Sequence, residues 1–595
     1  MSEALALSVP QQASSVAVDA LPRILRQTLE AALFEGLLDY IVVPARETAS
    51  TWDTLYFSLG NADYTCPGRV RGFGRIRLQL AELTRIQPVA RRPELEEVLR
   101  QLLACLPGDA ERKQALTREL NQTRIWCQWN ARELPPLAVR RELPLVALEG
   151  ALREGHPYHP CFKARIGLSE ADYQRYSPEA AGPVRPHWIA VPRERVLGAG
   201  AAQDPDTFAF RELGPALFQA LRARCRARGV DPEQRVFVPV HPWQWQHRIV
   251  PRTQGFRPLL VDLGQPGDDY RVSQSMRTLM NDSRPERGDL KLPLDIVLTS
   301  SRRHLLSHGI DSGPVLSDWL AETVAGDVFF QQQPLVILRE YAGLRVEETG
   351  LLSPSEPGIC QLGALWRESL PSRLAPGERA VPAQALALME SDGKPFIDPW
   401  VNAYGLEPWL TRLFDILILP VWHLLARHGI ALEAHGQNLL LVHRDGWPQW
   451  LAARDFHESV EYVENFLATP DAAPAFRRQA RYADARPNEY YWMDSVEALR
   501  ELVMDTLFVF QLSELAALCE THYRLPEPRF WKLVRACLAR YAGGGHCDPA
   551  RLRALGYRAP MVQVESLLRK KLCGVQPEYH HRVFNPLSEI ARKEA

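Results

Sequence analysis

Glu433-Ala-His-Gly-Gln-Asn438 sets a carboxylate, an imidazole and two amides within six residues, and the apolar run Leu439-Leu-Leu-Val442 follows at once. A second carboxylate, Asp455, comes in Arg454-Asp-Phe-His-Glu458. Polar side chains this dense before a strand project into a site, because burying them without partners is costly. The bland alternative is a capped strand whose polar groups satisfy one another. Asn438 and Asp455 on adjacent strands would offer hard oxygen ligands to a nucleotide-bound Mg2+, with phosphate oxygens completing its octahedron. The spacing of Glu433, Asn438 and Asp455 is also close to that of a kinase catalytic acid and its two Mg2+ ligands. A small-molecule kinase with Glu433 as base is therefore one reading of these residues.

Three further clusters carry chemistry. In Gly155-His-Pro-Tyr-His-Pro-Cys-Phe-Lys-Ala-Arg165, two prolines hold the backbone out of helix and present His156 and His159 on a rigid loop. Lys163 and Arg165, two residues apart, share one face of a strand. These four cations suit a polycarboxylate or a phosphate; solvated loop charges are the plainer reading. Ser275, Arg277 and Thr278, then Lys291 and Thr299-Ser-Ser-Arg-Arg303, supply hydroxyl and cationic donors of the kind a triphosphate needs. A polar strand edge is the alternative. No glycine-rich phosphate loop occurs there. Val240-His-Pro-Trp-Gln-Trp-Gln-His247 reads as architecture: Trp243 and Trp245 are core anchors, and His241 and His247 lack a third ligand for a metal.

The elements that must position these groups follow from periodicity. Residues 1–20 are small and polar and are expected to be disordered. Helical spacing dominates from Leu21 to about Leu152, as in Leu25–Leu33 and Glu94–Leu103, with strand-like interruptions at Leu38–Val43 and Thr54–Ser58. From about 165 to 350 short β-rich runs such as Val236–Val240, Leu294–Thr299 and Pro334–Leu338 suggest an antiparallel sheet with helical insertions. Residues 352–380, rich in Pro, Gly and Ser, read as a surface excursion. Leu406 to His428 reads as a buried helix stopped by Gly429, and Gly543-Gly-Gly545 as a loop.

At 595 residues the chain exceeds one core. A formal net charge of −1 gives no global field for nucleic acid or a membrane surface, so an anionic substrate needs a local cationic cluster. No signal peptide is recognised, and Leu413–Ala426, which contains Asp415, Pro420 and His423, reads as buried rather than membrane-spanning. Ten scattered cysteines without a Cys-x-x-Cys suggest reduced, mostly buried thiols in the cytosol and no structural zinc.

Taken together, His156-Pro-x-His-Pro-x-x-Lys163-x-Arg165-x-Gly167, His241-Pro-Trp-Gln244, Ser275-x-Arg277-Thr278, Lys291-Leu-x-Leu, Thr299-Ser-x-x-Arg303, Glu433-x-His435-x-Gln437-Asn438 and Arg454-Asp455 resemble the IucA/IucC family, the NRPS-independent siderophore (NIS) synthetases. The resemblance covers nearly the whole chain. It implies an α+β, cupped-hand fold: a mostly helical thumb over 1–165, β-rich fingers over 166–400 and a helical palm over 401–595. It implies a cytoplasmic, ATP- and Mg2+-dependent ligase and a homodimer; iron itself is not expected to bind, since no cluster of hard ligands stands apart from the ATP site. A carboxylate of citrate or a related acid attacks the ATP α-phosphate, and an amine or alcohol captures the acyl adenylate, releasing AMP and pyrophosphate. By the same resemblance Ser275, Arg277, Thr278, Lys291, Arg303, His435, Gln437 and Asn438 line the ATP site, with Asp455 beside Asn438 on the metal. His156, His159, Arg303 and His435 meet substrate carboxylates, and Lys163, Arg165, Arg569 and Lys571 add positive charge. Arg303 and Mg2+ stabilise charge at the α-phosphate, and Glu433 and His435 complete the catalytic set, His435 as a candidate proton acceptor. The chain departs from the family pattern at Glu565, where a substrate-contacting lysine often sits. A carboxylate there repels a third substrate carboxylate or attracts an amine. That leaves 2-oxoglutarate or a citryl monoamide open beside free citrate. A non-catalytic carboxylate- or siderophore-binding protein is the remaining alternative.

Overall fold

The computed structural model describes residues 19–588, except 46–51, 181, 254–258, 300, 350, 353–357 and 575–578. Most of the N-terminal segment expected to be disordered, and Ser300 of the Thr299-Ser-Ser motif, lie outside the described residues.

The fold is α+β. The helices Leu21–Phe34 and Leu95–Cys105 form where apolar spacing predicts them. Between them the chain makes more sheet than its two strand-like runs suggest. Tyr40–Val43, Asp53–Leu59, Ala62–Val70, Ile76–Leu78 and Thr84–Gln87 join in one antiparallel sheet. Ala62–Val70 alternates buried with half-buried positions, so one face packs on the core and the other meets water. The strand was missed because its sequence, Ala-Asp-Tyr-Thr-Cys-Pro-Gly-Arg-Val, carries polar and turn residues on the outer face.

A six-stranded antiparallel sheet occupies the middle of the chain. Its order is Tyr270–Val272, Thr278–Asn281, Asp289–Lys291, Gly363–Arg367, Glu340–Val346 and Val196–Gly200. Gly363–Arg367 is buried at every position. The reading of 352–380 as a surface excursion is therefore wrong for this strand: Gly-Ala-Leu-Trp-Arg is a short central strand hidden between turn-rich flanks. Leu294–Thr299 contributes only the two-residue strand Val297–Leu298. Leu335–Ile337 pairs parallel with Trp447–Ala453, beside Leu439–Arg444 and Glu378–Pro382, so strands from either side of residue 400 share one sheet.

The cores explain the layout. One apolar cluster runs from Ala20 through Ala164 and on from Leu316 to Leu587, uniting the N-terminal helices with the C-terminal ones. A second, from Trp126 to Trp366, fills the β-rich middle. Leu406–His428 is two short helices and a π-turn, ended by Gly429 at φ 77°. This segment and Val496–Tyr523 are long and apolar enough to cross a membrane by length and composition, but both are mostly buried inside the protein. His241 and Trp243 are fully buried, as their architectural reading requires. All ten cysteines are free thiols.

Candidate active site

A cavity of about 1290 Å³ opens where the two cores meet. Its wall is made of the His156–Arg165 loop, Ser275, Arg277, Lys291, Thr299, Arg303, the Glu433–Asn438 segment and Asp455–Ser459. Elements far apart in sequence thus converge on one space.

The Glu433–Asn438 segment is a tight turn between the strands Ile430–Leu432 and Leu439–Arg444. Its position is pinned from below. Ala434 N–H donates to Thr506 Oγ1 at 3.0 Å, and Arg454 Nε donates to the Gln437 carbonyl at 3.0 Å. Arg454 is itself paired with the fully buried Glu149 at 2.5 Å. A Cβ at Gly436 would lie 2.1 Å from Gln511 Oε1 and 2.7 Å from Gln384 N, so only glycine lets the turn pack this closely.

Three imidazoles share one geometry. His435 Nδ1 accepts from the N–H groups of Gln437 and Asn438, both at 3.2 Å. His156 Nδ1 accepts from Tyr158 and His159 N–H at 3.1 and 2.9 Å, and His159 Nδ1 from Cys161 N–H at 3.1 Å. An accepting Nδ1 in a neutral ring puts the proton on Nε2. Each ring therefore presents a donor, not a base. Burial, then the nearby His435, pushes His156 down to about 3. Burial, then Lys571, holds His159 well below the usual range. His156 and His159 are thus neutral donors at physiological pH rather than the cations their sequence suggests. While His435 keeps its two backbone bonds, it too is a donor and not a proton acceptor.

Three arginines facing the cavity, Arg23, Arg26 and Arg303, have no ion pair among the described residues, and Arg23 donates to Gln27 Oε1 and to the His156 carbonyl. Arg303 Nε has no hydrogen-bond partner among them. Burial, then the like charge of Arg277, lowers Arg303 to about 10, so it stays charged but gains from any anion that arrives. Arg277 is already engaged, with the His304 carbonyl and with Glu458 Oε2 at 3.3 Å. Arg26 lies on the first helix, among core residues, where no motif signals it; only its outward side of the helix face distinguishes it.

Asp455 sits at φ 68°, a strained conformation for a non-glycine residue that aims its carboxylate at the cavity. Its Oδ1 accepts from Lys291 and, at 2.8 Å, from Arg367. Burial opposes its charge, but Lys291 and Arg367 outweigh it and hold the carboxyl well below the usual range. Neither bond takes Oδ2, and the residue lines the cavity. Arg454 N–H donates to the Asn438 carbonyl at 3.1 Å, which sets Asn438 and Asp455 side by side. Asn438 Nδ2 donates to the Glu433 carbonyl at 3.2 Å, which leaves its Oδ1 to accept elsewhere. Two oxygens, one charged, fit a Mg2+ that keeps its remaining positions for phosphate and water. Glu433 lines the cavity and its Oε2 accepts from Ser459 at 2.8 Å.

Several assignments change. Lys163 and Arg165 reach the cavity wall, but both are spent on Glu179, at 2.6 Å and at 2.7 and 2.8 Å. Burial opposes Glu179's charge, and Arg165 and Lys163 reverse this and hold it at about 2. The trio is a buried brace with a residual positive charge, its cationic groups already engaged with Glu179. Thr278 is buried behind Ser275, whose hydroxyl it meets at 3.0 Å, and does not line the cavity. Lys291 lines it but is bound to Asp455 and to Glu340 at 3.2 Å, so it orients Asp455. Arg569 and Lys571 also miss it. Glu35 accepts from Leu568 and Arg569 N–H at 2.8 Å each, capping the helix Leu567–Cys573. That cap turns Arg569 onto the Glu35 and Gly36 carbonyls and Lys571 onto Glu119 and the Thr299 carbonyl. Lys570, three residues after Leu567, faces the cavity instead, with Glu565. Glu458, which sequence reasoning passed over, joins the site. Burial opposes its charge, and His457 and Arg277 hold it at about 2.

Comparison with known proteins gives the class of enzyme to which this fold and this site belong. The IucA / IucC family model matches residues 144–388. A second model, described as a ferric iron reductase FhuF-like transporter, matches residues 407–576. The citryl-spermidine/3,4-dihydroxybenzoyl-citryl-spermidine:spermidine ligase of Bacillus anthracis is 33% identical over 95% of this chain and 93% of its own length. The crystal structure of the petrobactin biosynthesis protein AsbB from Bacillus anthracis superposes with a TM-score of 0.86 at 32% identity, covering 96% of this chain and 95% of that one. Aerobactin synthetase IucC of Klebsiella pneumoniae gives 0.78 at 26% identity, covering 95% and 97%. The chain belongs to the IucA/IucC family of NRPS-independent siderophore synthetases. It is a ligase of siderophore biosynthesis, which sets the kinase and binding-protein readings aside.

Proposed function

We propose that this ligase uses ATP to adenylate one carboxyl of citrate or a related di- or tricarboxylic acid, then joins the acyl group to an amine or hydroxyl, releasing AMP and pyrophosphate. The observation that carries the reading is Arg303, without an ion pair among the described residues, facing a cavity ringed by Nε2–H donors and closed by Asn438 and Asp455. A tricarboxylate and a triphosphate repel one another, and such a wall offsets that repulsion before reaction.

In this reading Arg303 contacts the α-phosphate and the reacting carboxylate, and His156, His159 and His435 donate to the remaining carboxylate oxygens. Ser275 and Arg277 hold the phosphates, with Gln437 nearby. Asn438 and Asp455 would hold Mg2+, which neutralises phosphate charge when bound. Lys291 and Arg367 orient Asp455. The incoming ammonium must lose a proton; His435 is bonded as a donor, so Glu433 or solvent takes it. The ten free thiols support a reducing, cytosolic setting.

The relative's printed name joins citryl-spermidine to spermidine. A citrate already amidated at one end fits a cavity of this size as well as free citrate does. The test is acid-dependent AMP and pyrophosphate release, with hydroxylamine as surrogate nucleophile and a panel of citrate, 2-oxoglutarate, succinate and citryl monoamides. Release with one of these acids supports adenylation and names the substrate class; ADP, or no nucleotide product with any acid, rejects the proposal.

A further inference from the structure

One end of the cavity is acidic where the other is cationic. Glu501, Asp505 and Glu565 all line it. Asp505 is 4% exposed. Its Oδ2 accepts from Glu565 N–H at 2.7 Å, while its Oδ1 has no partner among the described residues. A buried carboxylate oxygen without a donor is costly unless something else supplies one. The counter-charges present are few: Lys570 Nζ meets Glu565 Oε1 at 2.6 Å, His580 Nε2 meets Glu501 Oε1 at 2.6 Å, and Arg500, whose charge favours the Asp505 carboxylate, is paired with Glu497 at 2.5 Å. None of them is hydrogen-bonded to Asp505 Oδ1.

The position of this group matters as much as its charge. Asp505 lies at the start of a nine-residue π-helical stretch, Met504–Leu512, inside the long helical segment. Such widened turns are uncommon and recur at functional sites. The next residue, Thr506, holds the Ala434 N–H, between Glu433 and His435. The acidic end is therefore fastened directly to the turn where the acyl group would be activated.

The geometry points to Asp505, with Glu501 and Glu565, as the subsite for a distal ammonium of an aliphatic di- or polyamine nucleophile, whose reacting amine lies at the Glu433–His435 turn. This rests on the adenylation reading above and adds to it the class of nucleophile. An ammonium brings the donor that Asp505 Oδ1 lacks and balances the excess of carboxylates. Burial, then the Glu501 charge, pushes the Asp505 carboxyl well above the usual range. A cation bound beside it offsets both of these costs. A monoamine or an alcohol leaves the group unserved, so the subsite selects against both. The same logic accounts for Glu565, since a lysine there would repel the cation that a carboxylate receives.

The test compares 1,4-diaminobutane, 1,5-diaminopentane and spermidine with butylamine, using an acid already found to support pyrophosphate release. We expect kcat/KM for the best diamine or polyamine to exceed that for butylamine by at least about tenfold. Asp505→Asn and, independently, Glu565→Gln should bring that ratio toward one, through KM for the amine. Hydroxylamine capture, which carries no distal cation, reports whether each variant is folded and adenylating. A wild-type ratio near one overturns the subsite, and that result needs no variant. So does a ratio that survives in both variants while hydroxylamine capture persists. If no acid supports pyrophosphate release, the adenylation reading falls first. Pyrophosphate release without diamine preference removes only the subsite.

Discussion

Arg367 Nη1 donates to Asp455 Oδ1 at 2.8 Å, and the same guanidinium reaches Asp289 at 2.5 Å. Arg367 is 1% exposed and comes from the central strand Gly363–Arg367, while Asp455 follows the strand Trp447–Ala453 in a different sheet. One buried arginine therefore ties the six-stranded sheet to the candidate metal ligand. Arg367→Leu should raise the Mg2+ concentration for half-maximal pyrophosphate release by roughly 10–100-fold, the usual effect of losing a partner behind a metal ligand. Asp455→Asn should be more severe, because it removes the charged ligand. A Mg2+ titration of both variants checks this; an unchanged Mg2+ requirement in Arg367→Leu would remove the link.

The Nδ1 geometry of His435 separates donor from base. His435→Ala should lower acid-dependent pyrophosphate release by about 10²–10³-fold, as removal of a transition-state donor does. His435→Gln, which keeps an N–H, should recover a measurable part of it. A kcat/KM pH profile that loses an acidic limb in His435→Gln would instead identify His435 as a base.

Arg303 offers a second contrast. Arg303→Ala should cost about 10²–10³-fold in adenylation. Arg303→Lys should restore charge without the planar fork and so recover only part of the loss. Full activity in Arg303→Ala would move the α-phosphate contact elsewhere, to Arg26 first.

The Lys163–Glu179–Arg165 brace bears on stability. Its carboxyl is held at about 2, below its unfolded value of 4.5. A depressed carboxylate contributes stability that is complete above the unfolded pKa and fades as pH falls from about 4.5 toward 2. Glu179→Gln strands two buried cations and should destabilise the protein by about 3–5 kcal/mol at neutral pH. It should also remove that part of the acid dependence. Denaturant unfolding of both proteins at pH 7 and pH 4 measures it.

The sequence by itself determined the chemistry-bearing turn and its family. Glu433, His435, Asn438 and Asp455 are close in the chain, and their side-chain types limit what they can bind. It also determined the rigid His-Pro loop and the Gly429 stop, because proline, glycine and apolar spacing act over a few residues. Tertiary structure decided which charges are free. Lys163, Arg165, Lys291, Arg569 and Lys571 all read as available cations, and each is taken up by a partner. Only Glu179, which holds Lys163 and Arg165, is close to them in sequence. Glu340, Asp455, Glu35, Glu119 and Thr299 come from remote segments. Glu458, Arg26 and Asp505 gained their places for the converse reason. Long-range charge pairing and the orientation of a helix face depend on how sheets and helices dock, and that information is spread over the whole chain.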